Sequence, residues 1–152
     1  MQVVYTNGWT WEQMRPHWPA VMQALRRRER EGGAAEDIAR RAENLFSGRE
    51  RLWLILDEGE AVFLVTLTVE TTRETGRRKA VLQTLTATDQ GASMGLARKM
   101  DAGRTALAEI ERWAAERGID EIEMTGRAGL KRLMEPQGYR QEAVVMRKMV
   151  GG

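Results

Sequence analysis

The sequence predicts one α+β domain in which a mixed, mainly antiparallel sheet is flanked by helices, in the order ααβββαβαβ. Residues 1–50 show helical periodicity, residues 52–88 hold three successive runs of strand-forming residues, and a long amphipathic pattern then precedes a further short strand. A length of 152 residues with 42% hydrophobic and 30% charged residues is typical of a single globular domain, 1–152. We expect its amino-terminal part (1–50) to be helical and its remainder (51–150) to hold the sheet and core helices.

Composition removes several classes of site. The chain has no cysteine and a single histidine, His17, so disulfides, thiolate metal centres and cysteine nucleophiles are excluded, and we expect no metal site. The 24 basic and 22 acidic residues leave a net charge of only +2, so nucleic acid is not an expected partner. No apolar run is long enough to span a membrane, and the first residues lack the pattern of an export signal. We therefore expect an intracellular protein that does not contact membranes.

The first third is predicted to hold two helices. Thr10 and Gln13 have the spacing of a capping box, which favours a short helical turn directly after them. The first helix is predicted to start near Pro19 and to end at the glycine pair after RRRERE. The second covers about residues 34–46, because its apolar side chains recur at helical spacing on one face.

Three antiparallel strands are predicted next, over residues 52–56, 62–69 and 80–88. The first, LWLIL, is a continuous apolar run, as expected of a strand covered on both faces. The turn DEG joins it to a second run rich in β-branched and aromatic residues. The charged segment TTRETGRRK is the predicted loop to the third strand.

The clearest helix is predicted over residues 102–117, with Asp101 as its N-cap. Its buried face is predicted to consist of Ala106, Leu107, Ile110, Trp113 and Ala114. A strand over 119–125, a short helix over 126–135 and one or two final strands within 139–150 complete the predicted order.

Two short motifs in the last third accompany this order. Gly126, Arg127 and Gly129 form a GR-x-G stretch after the penultimate strand, and Gly138 with Tyr139 opens the last one. Together with the element order, these residues make the last two thirds of the chain resemble the GNAT superfamily of acyl-CoA N-acyltransferases. The resemblance is particularly to the small GNAT-like proteins encoded by tailed bacteriophages and prophages, and it implies a GNAT-like sheet.

The resemblance also implies a site for acetyl-CoA or CoA. In that superfamily the fourth strand separates from the fifth and its free backbone groups pair with pantetheine; here that strand holds Leu85 and Ala87. A glycine-containing loop at the start of the next helix holds the pyrophosphate through backbone N–H groups. The matching residues, which we expect to contact the cofactor, are Arg98, Lys99, Asp101, Gly103 and Arg104.

Several positions depart from the superfamily pattern. Asp101 stands where the loop has its first glycine, and its carboxylate adds negative charge beside the expected phosphates. Met134 stands where many members have a tyrosine that protonates the leaving thiolate, and methionine cannot donate a proton. Tyr139 is interpreted as a core residue, and Glu70, the candidate base, as an exposed residue at a strand end. No catalytic residue is therefore assigned.

Two functions remain open at this stage. The favoured one is a catalytically degenerate GNAT fold that serves as an accessory or virion-associated protein, with other phage or virion proteins as partners. The alternative is an active acetyl-CoA-dependent N-acetyltransferase acting on a small-molecule, protein or nucleobase amine. We expect the protein in the host cytoplasm and, under the first hypothesis, packaged in a virion. Trp9 and Trp11, which flank a turn, are a candidate contact patch.

Overall fold

The computed structural model describes residues 1–32, 36–124, 131–142, 146, 148 and 150; for residues 28–32 and 36–37 it describes the backbone alone. The strands are β1 (Gln2–Tyr5), β2 (Arg51–Asp57), β3 (Glu60–Thr71), β4 (Arg78–Ala87) and β5 (Glu121–Met124). The helices are α1 (Trp11–Met14), α2 (Trp18–Gly32), α3 (Glu36–Ser47), α4 (Asp89–Ala92), α5 (Leu96–Glu116) and α6 (Lys131–Met134), and a 3₁₀ turn follows at Glu135–Gln137. None of the helices in these ranges is long and apolar enough to cross a membrane.

The five strands form one sheet in the order β1-β2-β3-β4-β5. The first four pair antiparallel, and β2, β3 and β4 are joined by short turns that require this pairing. Strand β5 pairs parallel to β4 after the crossover through α5. The mixed, mainly antiparallel sheet predicted from the sequence is therefore confirmed.

The strand β1 corrects the prediction that the chain begins with helices. Its four residues pair with β2, for example Val3 with Ile55 and Tyr5 with Trp53. The Tyr5 ring stacks on the Trp53 ring with centroids 4.4 Å apart. A run of only four residues gives too little alternation to separate a strand from the start of a helix, so the pairing with β2 decides its conformation.

Helix α5 begins six residues earlier than predicted. Its N-cap is Gly95, with extended backbone angles (φ −62°, ψ 155°), so the prediction that Asp101 is the N-cap was wrong. Asp101 lies inside the helix, where its carboxylate pairs with Arg104 one turn on and its carbonyl accepts a hydrogen bond from Oγ1 of Thr105 at 2.8 Å. Met100 packs against the core, which extends the apolar face of the helix toward its start.

The predictions for the last third can be compared with the structure only where its residues are described. The strand expected over 119–125 is β5, and the helix expected over 126–135 is represented by α6 and the 3₁₀ turn. The motif residues Gly126, Arg127 and Gly129 lie outside the described residues. Residues 139–142, the described start of the predicted final strand, are not in a strand.

Two hydrophobic cores lie on opposite faces of the sheet. On one face α5 packs Leu107, Ile110 and Trp113 against β2, β3 and β4. On the other face α2 packs Val21 and Leu25 against the alternate residues of β2 and β3. Since the side chains of a strand alternate between faces, the apolar runs of β2 and β3 supply both cores.

Candidate functional site

The candidate site is the part of β4 that follows a β-bulge. Thr66 of β3 pairs with Thr84, but the next residue, Leu67, pairs with Leu82, so Gln83 is an extra residue in β4. On the other side of β4, the described residues of β5 pair with residues 79–82. Met124, the last of them, pairs with Leu82, directly before the bulge.

The backbone groups of Leu85 and Ala87 face away from β3 along this segment. The N–H of Thr88 donates to the carbonyl of Val62 on β3 at 3.1 Å. Because successive residues of an antiparallel strand present their N–H and C=O groups to opposite sides, the groups of Leu85 and Ala87 point away from β3, to the side on which β5 lies. We call the backbone groups of Leu85 and Ala87, which do not pair with β3, the open edge. An extended ligand with amide groups can pair with such an edge as a strand would.

A buried polar cluster lies beside the bulge on the face covered by α2 and α3. Nη2 of Arg41 donates to Oε1 of Glu50 at 2.6 Å, to Oγ1 of Thr66 at 3.1 Å and to Oγ1 of Thr84 at 2.5 Å. Glu50 is 4% exposed, and both threonines are buried. The cluster ties α3 and the start of β2 to the strand positions directly beside Gln83.

The sequence analysis does not identify this cluster, because an arginine in a helix is usually exposed to solvent. A signal was present: Arg41 follows Ile38 by three residues and precedes Leu45 by four, and both of these pack against the second core. A helical residue with that spacing lies on the buried face of its helix whatever its charge.

Short helix α4 connects the open edge to α5. Oγ1 of its N-cap Thr88 accepts the N–H of Gly91 at 3.2 Å and donates to the carbonyl of Ala61 at 2.6 Å. A Cβ at Gly91 would lie only 1.8 Å from the carbonyl oxygen of Val62. The close approach of α4 to β3 therefore requires glycine at position 91, and no bound ligand is needed to explain this residue.

The five residues expected to hold a pyrophosphate all lie on α5 rather than in a loop. The N–H of Lys99 donates to the carbonyl of Gly95 at 3.0 Å, and residues 100–104 continue the helix. The backbone N–H groups from Lys99 onward are therefore engaged in helical hydrogen bonds, whereas the N–H of Arg98 lies in the first turn, where a helix offers no acceptor. Nη2 of Arg98 contacts Oδ2 of Asp57 at 2.6 Å, so this cation already has a carboxylate partner.

Gly103 and Arg104 have structural partners of their own. Gly103 is buried, and a Cβ there would lie 2.8 Å from Cδ2 of Leu133 on α6. The guanidinium of Arg104 pairs with Asp101 on the exposed side of α5. The small size of Gly103 therefore allows α6 to approach α5 closely.

None of the candidate acids and bases is placed for proton transfer at the open edge. Met134 is 7% exposed and belongs to the core under α5. The hydroxyl of Tyr139 is buried and has no hydrogen-bond partner among the described residues, and burial followed by the negative charge of Glu111 raises the pKa of the phenol. Glu70 is exposed, and its carboxylate lies 3.8 Å from Nζ of Lys79.

The described residues contain no group of three or more acidic or histidine side chains that could hold a metal ion.

A cavity of about 310 Å³ lies at the opposite edge of the sheet, between the β1–α1 turn and the end of α3. Its lining includes Trp9, Trp11, Trp18 and Phe46. The Trp11 side chain is 47% exposed, and its ring centroid lies 5.8 Å from that of Phe46, which is 63% exposed. The expected contact patch of Trp9 and Trp11 therefore coincides with an aromatic cavity, and its use as an interface stays a prediction.

No family model and no curated protein matches the sequence. Several solved structures match over almost the whole chain. A protein described as a probable acetyltransferase has a TM-score of 0.71 at 14% identity, covering 99% of this chain and 97% of its own. AAC(6')-Iy in complex with the bisubstrate analogue CoA-S-monomethyl-acetylneamine has a TM-score of 0.66 at 13% identity, covering 97% of both chains.

A predicted acetyltransferase from Clostridium acetobutylicum, solved with acetyl-CoA, has a TM-score of 0.63 at 14% identity and covers 98% of this chain and 96% of its own. Identities this low show that the fold is shared, but they do not show that the activity is shared. The mixed five-stranded sheet and its helices match these structures, so the chain has the fold of the GNAT acetyltransferases.

Proposed function

We propose that the chain is a catalytically degenerate GNAT-fold protein that serves as an accessory or virion-associated binding or structural protein. The start of α5 is the observation that carries this proposal. Where a pyrophosphate loop would offer free N–H groups, residues 99–104 form a regular helix whose N–H groups are engaged in helical hydrogen bonds. A helix that begins at Leu96 leaves only its first few N–H groups for an anion.

The side chains around the site support the same proposal. The position that matches the superfamily acid holds Met134, which is buried and carries no transferable proton. The phenol of Tyr139 keeps its proton, but its hydroxyl is buried and the residue packs against the core under α5. Asp57 already neutralises Arg98. A site for proton transfer to a departing thiolate needs a donor in reach of the reacting atoms, and these residues do not supply one.

The open edge of β4 favours a second candidate, an active acetyl-CoA-dependent N-acetyltransferase acting on a small-molecule, protein or nucleobase amine. In this candidate Leu85 and Ala87 would pair with the pantetheine of acetyl-CoA or CoA. Arg98, Lys99 and Arg104, with the first N–H groups of α5, would face its phosphates. The solved structures of this fold with acetyl-CoA and with a CoA analogue support the candidate. Such a cofactor would supply the activated acyl group.

A thermal shift measurement with acetyl-CoA and with CoA separates the two candidates. A ligand at one hundred times its dissociation constant adds about 2.7 kcal/mol to the free energy of unfolding. The degenerate protein is expected to show no shift at millimolar cofactor. A clear shift, with release of free CoA thiol when amines are added, would contradict the proposed function.

If the cofactor binds, a double variant tests whether Arg98 and Lys99 hold its phosphates. Replacing Arg98 and Lys99 with Gln should weaken binding of CoA but not of pantetheine, which has no pyrophosphate. Arg112→Gln, an exposed cation further along α5, is the matched control and should leave both affinities unchanged. If the double variant behaves like the control, these residues do not hold the phosphates.

The virion-associated role has a test of its own. Mass spectrometry of purified particles from cells that express the protein together with a phage encoding it should detect the chain at a fixed ratio to other virion proteins. Its absence from purified particles would contradict the virion role and leave only an accessory role in the cell.

A further inference from the structure

The aromatic cavity of about 310 Å³ lies between two segments of the chain at the β1 side of the sheet. One wall runs from the end of β1 through the turn and α1 to the start of α2, and the other is the end of α3 with the start of β2. Every residue that lines the cavity is among the described residues. Its volume suits a small molecule, since sites for such ligands usually measure about 300–1,000 Å³.

Aromatic side chains dominate the lining of this cavity. Three of the five tryptophans of the chain line it, together with a tyrosine and a phenylalanine: Tyr5, Trp9, Trp11, Trp18 and Phe46. The rings of Trp11, Trp18 and Phe46 contact one another, with centroids 4.8–5.9 Å apart. Trp11 is nevertheless 47% exposed and Phe46 63% exposed, so packing within the fold covers only part of their surface. Core packing therefore does not account for these two large side chains.

The three hydroxyl groups of the threonine and serine residues in the lining are engaged within the protein. Oγ1 of Thr6 donates to a carbonyl of β2 at 3.0 Å, and Oγ of Ser47 donates to a carbonyl of α3 at 3.2 Å. Oγ1 of Thr10 accepts the N–H of Gln13 at 3.3 Å and donates to its Oε1 at 3.4 Å. Because these hydroxyl protons are already used, a ligand that depends on hydroxyl donors is disfavoured.

The two ionised side chains of the lining are paired as well. Oε1 of Glu50 accepts from Nη2 of Arg41 at 2.6 Å. Nη1 of Arg51 donates to the Tyr5 hydroxyl at 2.7 Å, and its guanidinium lies over the ring of Trp113 in the core under α5. The lining thus carries one negative and one positive charge, and it has no excess of cations to bind an anionic ligand.

We infer that this cavity binds a small quaternary ammonium ion, free in solution and about the size of choline. Such an ion is a cation without hydrogen-bond donors, so it needs neither a free hydroxyl nor an unpaired carboxylate. The negative faces of aromatic rings, those of tryptophan above all, attract it, and its methyl groups bury apolar surface against the same rings. The inference goes beyond the proposed function, because no residue of the lining belongs to the open edge or to α5.

Choline and its uncharged carbon analogue test the inference. In the analogue a tert-butyl group replaces the trimethylammonium group, so the two probes share one shape and differ in charge. Calorimetric titration of the full chain gives both dissociation constants, and we expect choline to bind at least about tenfold more tightly than the analogue. Equal affinities would show a merely apolar cavity and would overturn the inference, as would the absence of choline binding at millimolar concentration.

Trp11→Leu tests whether the aromatic rings provide this preference. Leucine keeps an apolar side chain at a half-exposed position and removes the π-system. We expect the preference for choline over the analogue to fall about threefold or more. Phe46→Leu should have the same effect and serves if Trp11→Leu does not fold. Leu96→Ala, which changes an exposed apolar residue outside the lining, is the control and should leave the preference unchanged.

Two further outcomes would contradict the inference. A preference for choline that survives both Trp11→Leu and Phe46→Leu would mean that these rings do not bind the cation. Sedimentation of the protein with phosphatidylcholine vesicles, without binding of free choline, would mean that the cavity takes a lipid headgroup rather than a free ion.

The proposed function and this inference fail in different measurements. Turnover of acetyl-CoA by the unmodified protein would contradict the degenerate function, but the choline titration contains no acyl-CoA and its expected result stays the same. A protein that binds no choline, in turn, lacks the inferred site, and the argument from α5 remains intact.

Discussion

The two faces of the sheet are built on different physical principles. The face under α5 is apolar and aromatic: Trp53 stacks on Tyr5 and meets the Trp113 ring edge to face at 5.1 Å. The face under α2 and α3 has an apolar core too, but the ion pair of Arg41 and Glu50 is buried beside it.

This difference separates stability from positional specificity. Apolar packing is non-directional and contributes roughly in proportion to the area removed from water. A buried ion pair costs desolvation free energy and is satisfied in one geometry only. The α5 face therefore stabilises the sheet by apolar burial, whereas the Arg41 cluster joins α3 to Thr66 and Thr84, the paired residues directly beside the bulge.

The largest expected effect tests the polar face. Arg41→Met leaves Glu50 buried without its cation, and losing one partner of a buried pair lowers the free energy of unfolding by about 3–5 kcal/mol. Arg40→Met, at the exposed neighbouring position, should cost little. Urea denaturation of both variants is the measurement, and equal losses would show that the cluster does not anchor α3.

The next effect tests the apolar face. Leu107 is fully buried under α5, so Leu107→Ala removes packed methyl groups and should lower the free energy of unfolding by about 3 kcal/mol. Leu96→Ala makes the same substitution on the same helix where the side chain is 71% exposed, and it should be nearly neutral. Comparable losses in the two variants, measured by urea denaturation, would contradict the assigned orientation of α5.

A smaller effect is expected where α5 meets α6. Gly103→Ala places a Cβ about 2.8 Å from Leu133, which must shift to accept it, and overpacking of this kind costs about 1–2 kcal/mol. Gly95→Ser adds a capping side chain at the open start of the helix and should not destabilise the protein. The melting temperatures of the two variants are the measurement. A higher melting temperature for Gly103→Ala would show that Leu133 on α6 can shift without loss of stability.

The smallest effect at neutral pH concerns Tyr139. Its raised pKa means that the folded protein keeps the neutral phenol while the unfolded chain ionises. Below about pH 10, the ordinary pKa of tyrosine in the unfolded chain, this group does not change the free energy of unfolding with pH. Above that value the unfolded chain ionises first, so the free energy of unfolding decreases as the pH rises. Tyr139→Phe should be nearly neutral at pH 7, because the hydroxyl has no hydrogen-bond partner among the described residues, and should reduce the alkaline decrease.

Urea denaturation of the Tyr139→Phe variant and the unmodified protein from about pH 9 to about pH 11 measures this decrease. Because Tyr5 and the other titrating groups are common to both proteins, the difference between them isolates Tyr139. Identical pH dependence would show that the phenol is not shielded from water.

Sequence patterning identified the elements whose signal is local. Leu107, Ile110 and Trp113 recur at helical spacing and are buried as predicted, and the three long strands follow from continuous β-forming runs. The four residues of β1 were missed because they become a strand only through pairing with β2.

The site was less predictable, because its defining contacts join distant parts of the chain. Arg41 reaches Thr84 and Arg27 reaches Ala87 across 43 and 60 residues, and no local pattern encodes either contact. The start of α5 was misplaced because the glycines of DQGASMGL favour a loop, whereas packing of Met100 and the cap at Gly95 extend the helix. The pyrophosphate and pantetheine contacts of the named residues stay predictions.

The early start of α5 has an evolutionary consequence. Helix α5 begins six positions before Ala102, so the positive end of the helix dipole is displaced by about 9 Å from the start predicted from the sequence. Replacing Asp101 with glycine would put a flexible residue inside a hydrogen-bonded helix and would not recreate a loop. A point mutation at Asp101 therefore gives residues 99–103 no free N–H groups for a phosphate, and a chain of this fold could present them there only if α5 began later.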